Sequence, residues 1–181
     1  MSLISDHYKE QLEILRDKDH EPMWGNSGKQ HIDAIEKLLR DRSLRLKSMV
    51  DYGCGHGYII NELIRRGMGP RCGMTGYDPG IAQCAALPDP ADMLISTDVL
   101  EHIEPECLDD VLKHMASLTL KMAYINISYR LARTILPDGR NAHLIVQPPS
   151  WWKEQLEKVY SRVELFKLNE RKEWVAYIAY P

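Results

Sequence analysis

Two apolar rhythms alternate along this chain. Over residues 4–16, Tyr8, Leu12 and Leu15 fall on one helical face, and Ser5 or Asp6 can cap the element, which predicts an amphipathic helix. A polar loop follows at 20–28, with Pro22, Gly25 and Gly28. A second helix is predicted over 29–41, with Ile32, Ile35, Leu38 and Leu39 on its apolar face. The rhythm then shortens. Apolar runs at 48–52, 74–77, 92–96 and 122–128 read as strands. Between them, Ile59, Ile60, Leu63 and Ile64 mark one helix, and Leu108, Val111, Leu112 and Met115 another that Pro105 suits at its first turn. Residues 129–150 hold the turn signals Pro137-Asp138-Gly139 and Pro148-Pro149. A helix over 151–160 precedes strands at 162–168 and 174–180, joined as a hairpin by the polar turn Asn169-Glu170-Arg171-Lys172.

Strands alternating with helices imply βαβ units and a mostly parallel sheet, to which the final hairpin adds one antiparallel strand. The expected fold class is therefore α/β. The whole of 1–181 reads as one domain, with 1–45 a helical cover over the ligand crevice and 46–181 the α/β core.

Composition narrows the function without naming it. A net charge of −3 leaves no basic footprint for a nucleic-acid duplex, and the stretch Arg40, Arg42, Arg45, Lys47 reads as a solvated helix end. No apolar run approaches the roughly 20 residues that span a bilayer, and the polar, charged N-terminus does not read as a signal peptide. Cys54, Cys72, Cys84 and Cys107 form no CxxC pair and show no metal-ligand spacing with histidine. They read as reduced thiols of a cytoplasmic protein, and no metal site is expected.

The strongest chemical signal is Val50-Asp51-Tyr52-Gly53-Cys54-Gly55-His56-Gly57. Glycines here let the chain turn sharply from strand to helix and let backbone N–H groups approach a ligand. A dinucleotide fingerprint would need glycine where Tyr58 stands, and the triphosphate loop with its Lys is absent. Two acids accompany the loop. Asp78 ends the next strand, where a carboxylate can accept hydrogen bonds from both ribose hydroxyls, and Asp98 ends the strand after that. Taken singly, Asp78 also reads as a turn residue before Pro79, and Asp98 as a helix cap.

Together these residues resemble the class I S-adenosylmethionine (SAM)-dependent methyltransferases. The glycine segment resembles that family's first motif, Gly76-Tyr77-Asp78 its second, and residues 92–103, ending Leu100-Glu101-His102-Ile103, its fourth-strand motif. The resemblance implies a Rossmann-like sheet with helices on both faces, and SAM as cofactor with S-adenosylhomocysteine as product. It implies Gly53, Cys54, Gly55 and Gly57 along the methionine and ribose, and Asp51 near the amino group. It further implies Asp78 on the ribose with Pro79 beside it, and Asp98, Val99 and Leu100 near the sulfonium. One departure stands out. Only residues 79–91 separate the second motif from the strand at 92, too few for the family's intervening helix and strand, so one sheet edge is expected to be trimmed.

Methyl transfer is an in-line displacement that depends on orientation at about 3–3.5 Å. His102 can face the methyl group as a base, or pack as a structural histidine. Arg130, Arg133, Asn141 and His143 follow the strand at 122–128, where the two arginines can clamp a carboxylate or phosphate or the segment can form a solvated loop. His102 and His143 are the catalytic candidates. Trp24 reads as a lid or an anchor, and Trp151 and Trp152 as packing. The favoured partner is a small-molecule acceptor. Nucleic-acid methylation and a non-catalytic SAM-binding module stand as alternatives.

Overall fold

The computed structural model describes residues 3–18, 31–41, 45–68 and 72–181; the loop 20–28 with Trp24, and Arg42, lie outside the described residues. Helix α1 (Asp6–Lys18) begins where the Ser5 hydroxyl accepts the Tyr8 N–H at 3.0 Å, a side-chain cap of an otherwise unsatisfied donor. Its Tyr8 and Leu15 pack on Leu136 and Ala142. Helix α2 (Ile32–Asp41) buries Ile32, Ile35, Leu38 and Leu39, the stripe its spacing predicts.

The core follows as β1 (Ser48–Tyr52), α3 (Tyr58–Arg65), β2 (Gly73–Tyr77), β3 (Ala91–Thr97), α4 (Leu108–Leu118), β4 (Thr119–Ser128), α5 (Pro149–Glu157), β5 (Arg162–Asn169) and β6 (Trp174–Tyr180). One six-stranded sheet runs in the order β2-β1-β3-β4-β6-β5. The first four strands pair in parallel, while β6 is antiparallel to both neighbours. Strand β4 starts three residues earlier than its apolar pattern suggests, because Thr119 pairs with Ala91 directly after α4.

Every residue of β3 is buried, as a central parallel strand covered on both faces must be. The two faces carry separate cores. Met49, Met93, Ile95 and Tyr124 meet α2 and α3 on one side. Val50, Leu94, Ala123 and Ile125 meet α4 and α5 on the other, around Trp152, which is wholly buried. Neighbouring residues such as Met49 and Val50 enter opposite cores because strand side chains alternate. Trp151 packs at the edge of the second core, so both tryptophans have the packing role read from sequence.

Between β2 and β3 the chain forms only the 3-10 turn Ala82–Cys84, so β2 is an edge strand and the sheet is trimmed there. At the opposite edge, β5 carries Arg162, Glu164 and Lys167, charges that discourage edge-to-edge pairing. Strand order reverses around β1, with β2 on one side and β3 on the other. Open α/β sheets place ligands in the crevice beyond such a point, at the carboxyl ends of the strands.

Candidate active site

A cavity of about 580 Å³ lies at that crevice, within the usual range for small-molecule sites. The glycine turn after β1 forms its floor. Gly53 and Cys54 both donate their N–H to the Tyr77 carbonyl, at 2.7 and 3.1 Å, which folds the turn against the end of β2. Gly53 has φ +77°, and a Cβ there would stand 2.4 Å from Val99 Cγ2. The turn therefore requires glycine on two independent grounds, backbone conformation and space. Cys54 is buried, and burial pushes its thiol pKa up, so it is a neutral packing group.

Three carboxylates end three successive parallel strands. Asp51 is buried, its Oδ2 has no hydrogen-bond partner among the described residues, and burial, with the charge of Asp78 added, raises its pKa to about 7. An orphaned buried acceptor of that kind suits a cationic ligand group. Asp78 accepts N–H groups from Gly55 at 3.1 Å and Gly80 at 2.9 Å; each oxygen keeps acceptor capacity for a hydroxyl. Asp98 adopts φ 53°, an uncommon conformation for a residue with a side chain, at the turn out of β3.

The other end of the cavity is built differently. His102 and His143 line it with their rings perpendicular and centroids 4.7 Å apart. His102 Nδ1 bonds the Ala142 carbonyl at 2.8 Å, and His143 Nδ1 the Arg130 carbonyl at 2.6 Å. Burial lowers the pKa of His102 to about 4, with the neighbouring His143 adding to the shift, and burial lowers that of His143 as well. Both rings are neutral at pH 7. Arg130, Arg133, Arg171 and Lys172 also line the cavity, and all four are exposed.

The architecture agrees with what the sequence matches. A family model described as a methyltransferase domain covers residues 23–175. The chain belongs to that family. No curated protein matches the sequence. Among solved structures, an O-methyltransferase family protein from Burkholderia thailandensis superposes with a TM-score of 0.69 at 14% identity, over 99% of this chain and 63% of its own. The chain thus spans under two thirds of that neighbour's length. A 1,6-didemethyltoxoflavin-N1-methyltransferase from the same organism, solved with bound 1,6-didemethyltoxoflavin and S-adenosylhomocysteine, gives a TM-score of 0.65 at 14% identity, over 99% and 92% of the two chains. The small RNA methyltransferase HEN1 gives 0.61 at 15% identity, over 84% and 25%. At these identities the likeness is one of fold.

Most of the residues singled out from sequence line the cavity: Asp51, Gly53, Cys54, Gly55, Asp78, Pro79, Asp98, Val99, His102 and His143. Two do not. Leu100 is wholly buried in the core under α4, because the 3-10 turn at Leu100–His102 rotates it away from the crevice. Gly57 caps α3 with φ 75° and is not part of the wall. Asn141 spends its side chain on both backbone groups of Ala132 and on the His143 N–H, so it braces the loop. Of the two N-terminal helices expected over the crevice, α1 lines it through Tyr8 and Leu12, whereas α2, packed with α3 on one sheet face, supplies none of the lining residues.

The hairpin turn at 171–173 and the segment at 3–4 also line the cavity, though neither carried a motif. Strand direction holds the signal for the hairpin. Because β5 runs parallel to β4, its turn must emerge at the carboxyl edge where the site lies. For the N-terminal segment the anchor is Glu104, whose carboxylate accepts the Ser5 N–H at 2.9 Å and hydroxyl at 2.7 Å. No spacing rule predicts that long-range pair.

Proposed function

We propose that this chain transfers a methyl group from SAM to a small acceptor that carries an anionic group. The observation that carries the reading is one continuous cavity with two chemical ends. The first offers Asp51, Asp78 and the glycine turn; the second offers two neutral imidazoles under a rim of four cations. A zwitterionic nucleoside and an anionic co-substrate are the complementary pair.

The residues fit the cofactor on their own terms. Asp51 Oδ2, buried and unpartnered, is the seat for its amino group. Gly53, Cys54 and Gly55 hold the backbone close to it, Asp78 takes the ribose hydroxyls with Pro79 alongside, and Asp98 and Val99 flank the reacting end. When bound, SAM supplies an electrophilic methyl group on a sulfonium. The protein's task is then to hold an acceptor in line with it and keep water out. Arg130 and Arg133 clamp the acceptor's anionic group, with Arg171 and Lys172 from the hairpin turn closing the rim. His102 and His143 present neutral imidazoles to the acceptor's nucleophilic atom.

Calorimetry with SAM, S-adenosylhomocysteine and NAD on the wild type and on Asp78→Ala tests the cofactor half. SAM is expected to bind and NAD not, and Asp78→Ala should weaken SAM about tenfold or more, as loss of a charged hydrogen-bonding partner does. NAD binding in place of SAM would refute the reading. Screening anionic acceptors for turnover, with Arg133→Ala expected to raise KM more than it lowers kcat, tests the other half.

A further inference from the structure

The acceptor end of the cavity holds a grouping that methyl transfer alone leaves unexplained. One ligating atom each from Glu101, His102 and His143 lies within 4.8 Å of the others. Glu101 is wholly buried. Its Oε1 accepts the Ser128 N–H at 2.8 Å, and among the described residues its Oε2 has no hydrogen-bond partner. A buried carboxylate oxygen in that state calls for a cation or a proton.

The histidines complete the pattern. A ring nitrogen bonded to a carbonyl must carry the proton, so Nδ1 is the protonated nitrogen in both rings. The lone pair then falls on Nε2 of each. Metal-ligating histidines are oriented in this way, with the second nitrogen donating to a backbone carbonyl or carboxylate. Asp98 adds negative potential, since its charge acts on Glu101 and on His143 alike.

We propose that Glu101, His102 and His143 form a divalent transition-metal site in the acceptor wall, ligating through Oε2 and the two Nε2 atoms. Two imidazoles and one carboxylate favour zinc, manganese, cobalt or ferrous iron over magnesium or calcium, which take oxygen ligands. Ligands about 2.0–2.2 Å from such an ion stand about 3–3.5 Å apart, so small side-chain shifts close the present spread. Three protein ligands leave coordination positions open, and both histidines face the cavity. Resting on the methyl-transfer reading, the site specifies the acceptor further as a hydroxyl compound. The metal takes the hydroxyl oxygen, lowers its pKa and holds it as an alkoxide or phenoxide, while the proton leaves to solvent at the open rim. The imidazoles then serve as ligands rather than as bases.

Cobalt(II) is the probe, because its visible absorption reports both binding and low-symmetry nitrogen coordination. The full chain is stripped with EDTA, dialysed and titrated with cobalt(II), and S-adenosylhomocysteine binding is measured on the same sample. One equivalent should bind with a visible band at micromolar affinity or better. His143→Ala and Glu101→Gln should each weaken it at least tenfold, with S-adenosylhomocysteine affinity within about twofold of wild type. The glutamine keeps an acceptor for the Ser128 N–H, and His143 sits in a loop, so one variant decides if the other fails to fold. No cobalt band, or undiminished affinity in a folded variant, overturns the site. Cobalt binding without S-adenosylhomocysteine binding leaves the metal site standing and removes the methyl-transfer reading; the converse does the opposite.

Discussion

Asp51 couples cofactor binding to pH. Its carboxyl is buried, faces the charge of Asp78, and has its pKa raised from 3.8 to about 7. A cation seated at its unpartnered oxygen favours the ionised form, so binding at acidic pH must first remove a proton. With a free-protein pKa of about 7, that removal costs about 1.4 kcal/mol at pH 6 and about 2.7 kcal/mol at pH 5. Relative to fully ionised Asp51, SAM affinity should then fall about tenfold at pH 6 and about a hundredfold at pH 5. The ligand's own amino group, with a pKa of about 7.7, is about two-thirds deprotonated at pH 8, so measured against pH 8 the falls are about threefold and about thirtyfold. Calorimetry across pH 5 to 8, repeated in buffers of different ionisation enthalpy, measures both the affinity and the protons released. Asp51→Asn should bind more weakly at pH 8 and lose the slope below pH 7. A wild-type profile as flat as that of the variant would refute the assignment. The same raised pKa acts on folding with a definite sign. The native state holds this proton more tightly than the unfolded chain, so the contribution is full below about pH 3.8 and is lost as pH rises to about 7. Asp51→Asn should remove that loss in pH-dependent denaturation.

Three further outcomes test the packing beneath the site. Gly53→Ala forces a side chain into φ +77° and against Val99, which should cost about 1–3 kcal/mol in urea denaturation and reduce SAM affinity; adding Val99→Ala should relieve the clash but not the backbone strain. Trp152→Ala empties the core under β4 and should lower stability by about 3–5 kcal/mol, read from the denaturation midpoint. Glu104→Ala removes both hydrogen bonds that hold Ser5, and hydrogen exchange over residues 3–18 should rise while β1 and β3 stay protected. Unchanged exchange in α1 would mean that its packing on Leu136 and Ala142 suffices to hold it.

Much of this architecture was legible before any coordinates, because its causes are local. The 3.6-residue stripe of α2, the apolar run of β3 and the hairpin of β5 and β6 each express a backbone period and which face meets water. The glycine turn was legible because only glycine meets its backbone demands, and the missing element after Asp78 because residues 79–91 are too few to build it. Tertiary structure alone decided what distant segments do together. It turned Leu100 into the core and packed α2 with α3 on one face of the sheet, where it adds no lining residue to the crevice. It brought the hairpin turn to the cavity and tied Ser5 to Glu104. It also set His143 against Glu101 and His102, a cluster no sequence spacing reveals. Those juxtapositions depend on strand order and on buried polar groups finding partners across the fold. Neither is encoded in the neighbourhood of any one residue.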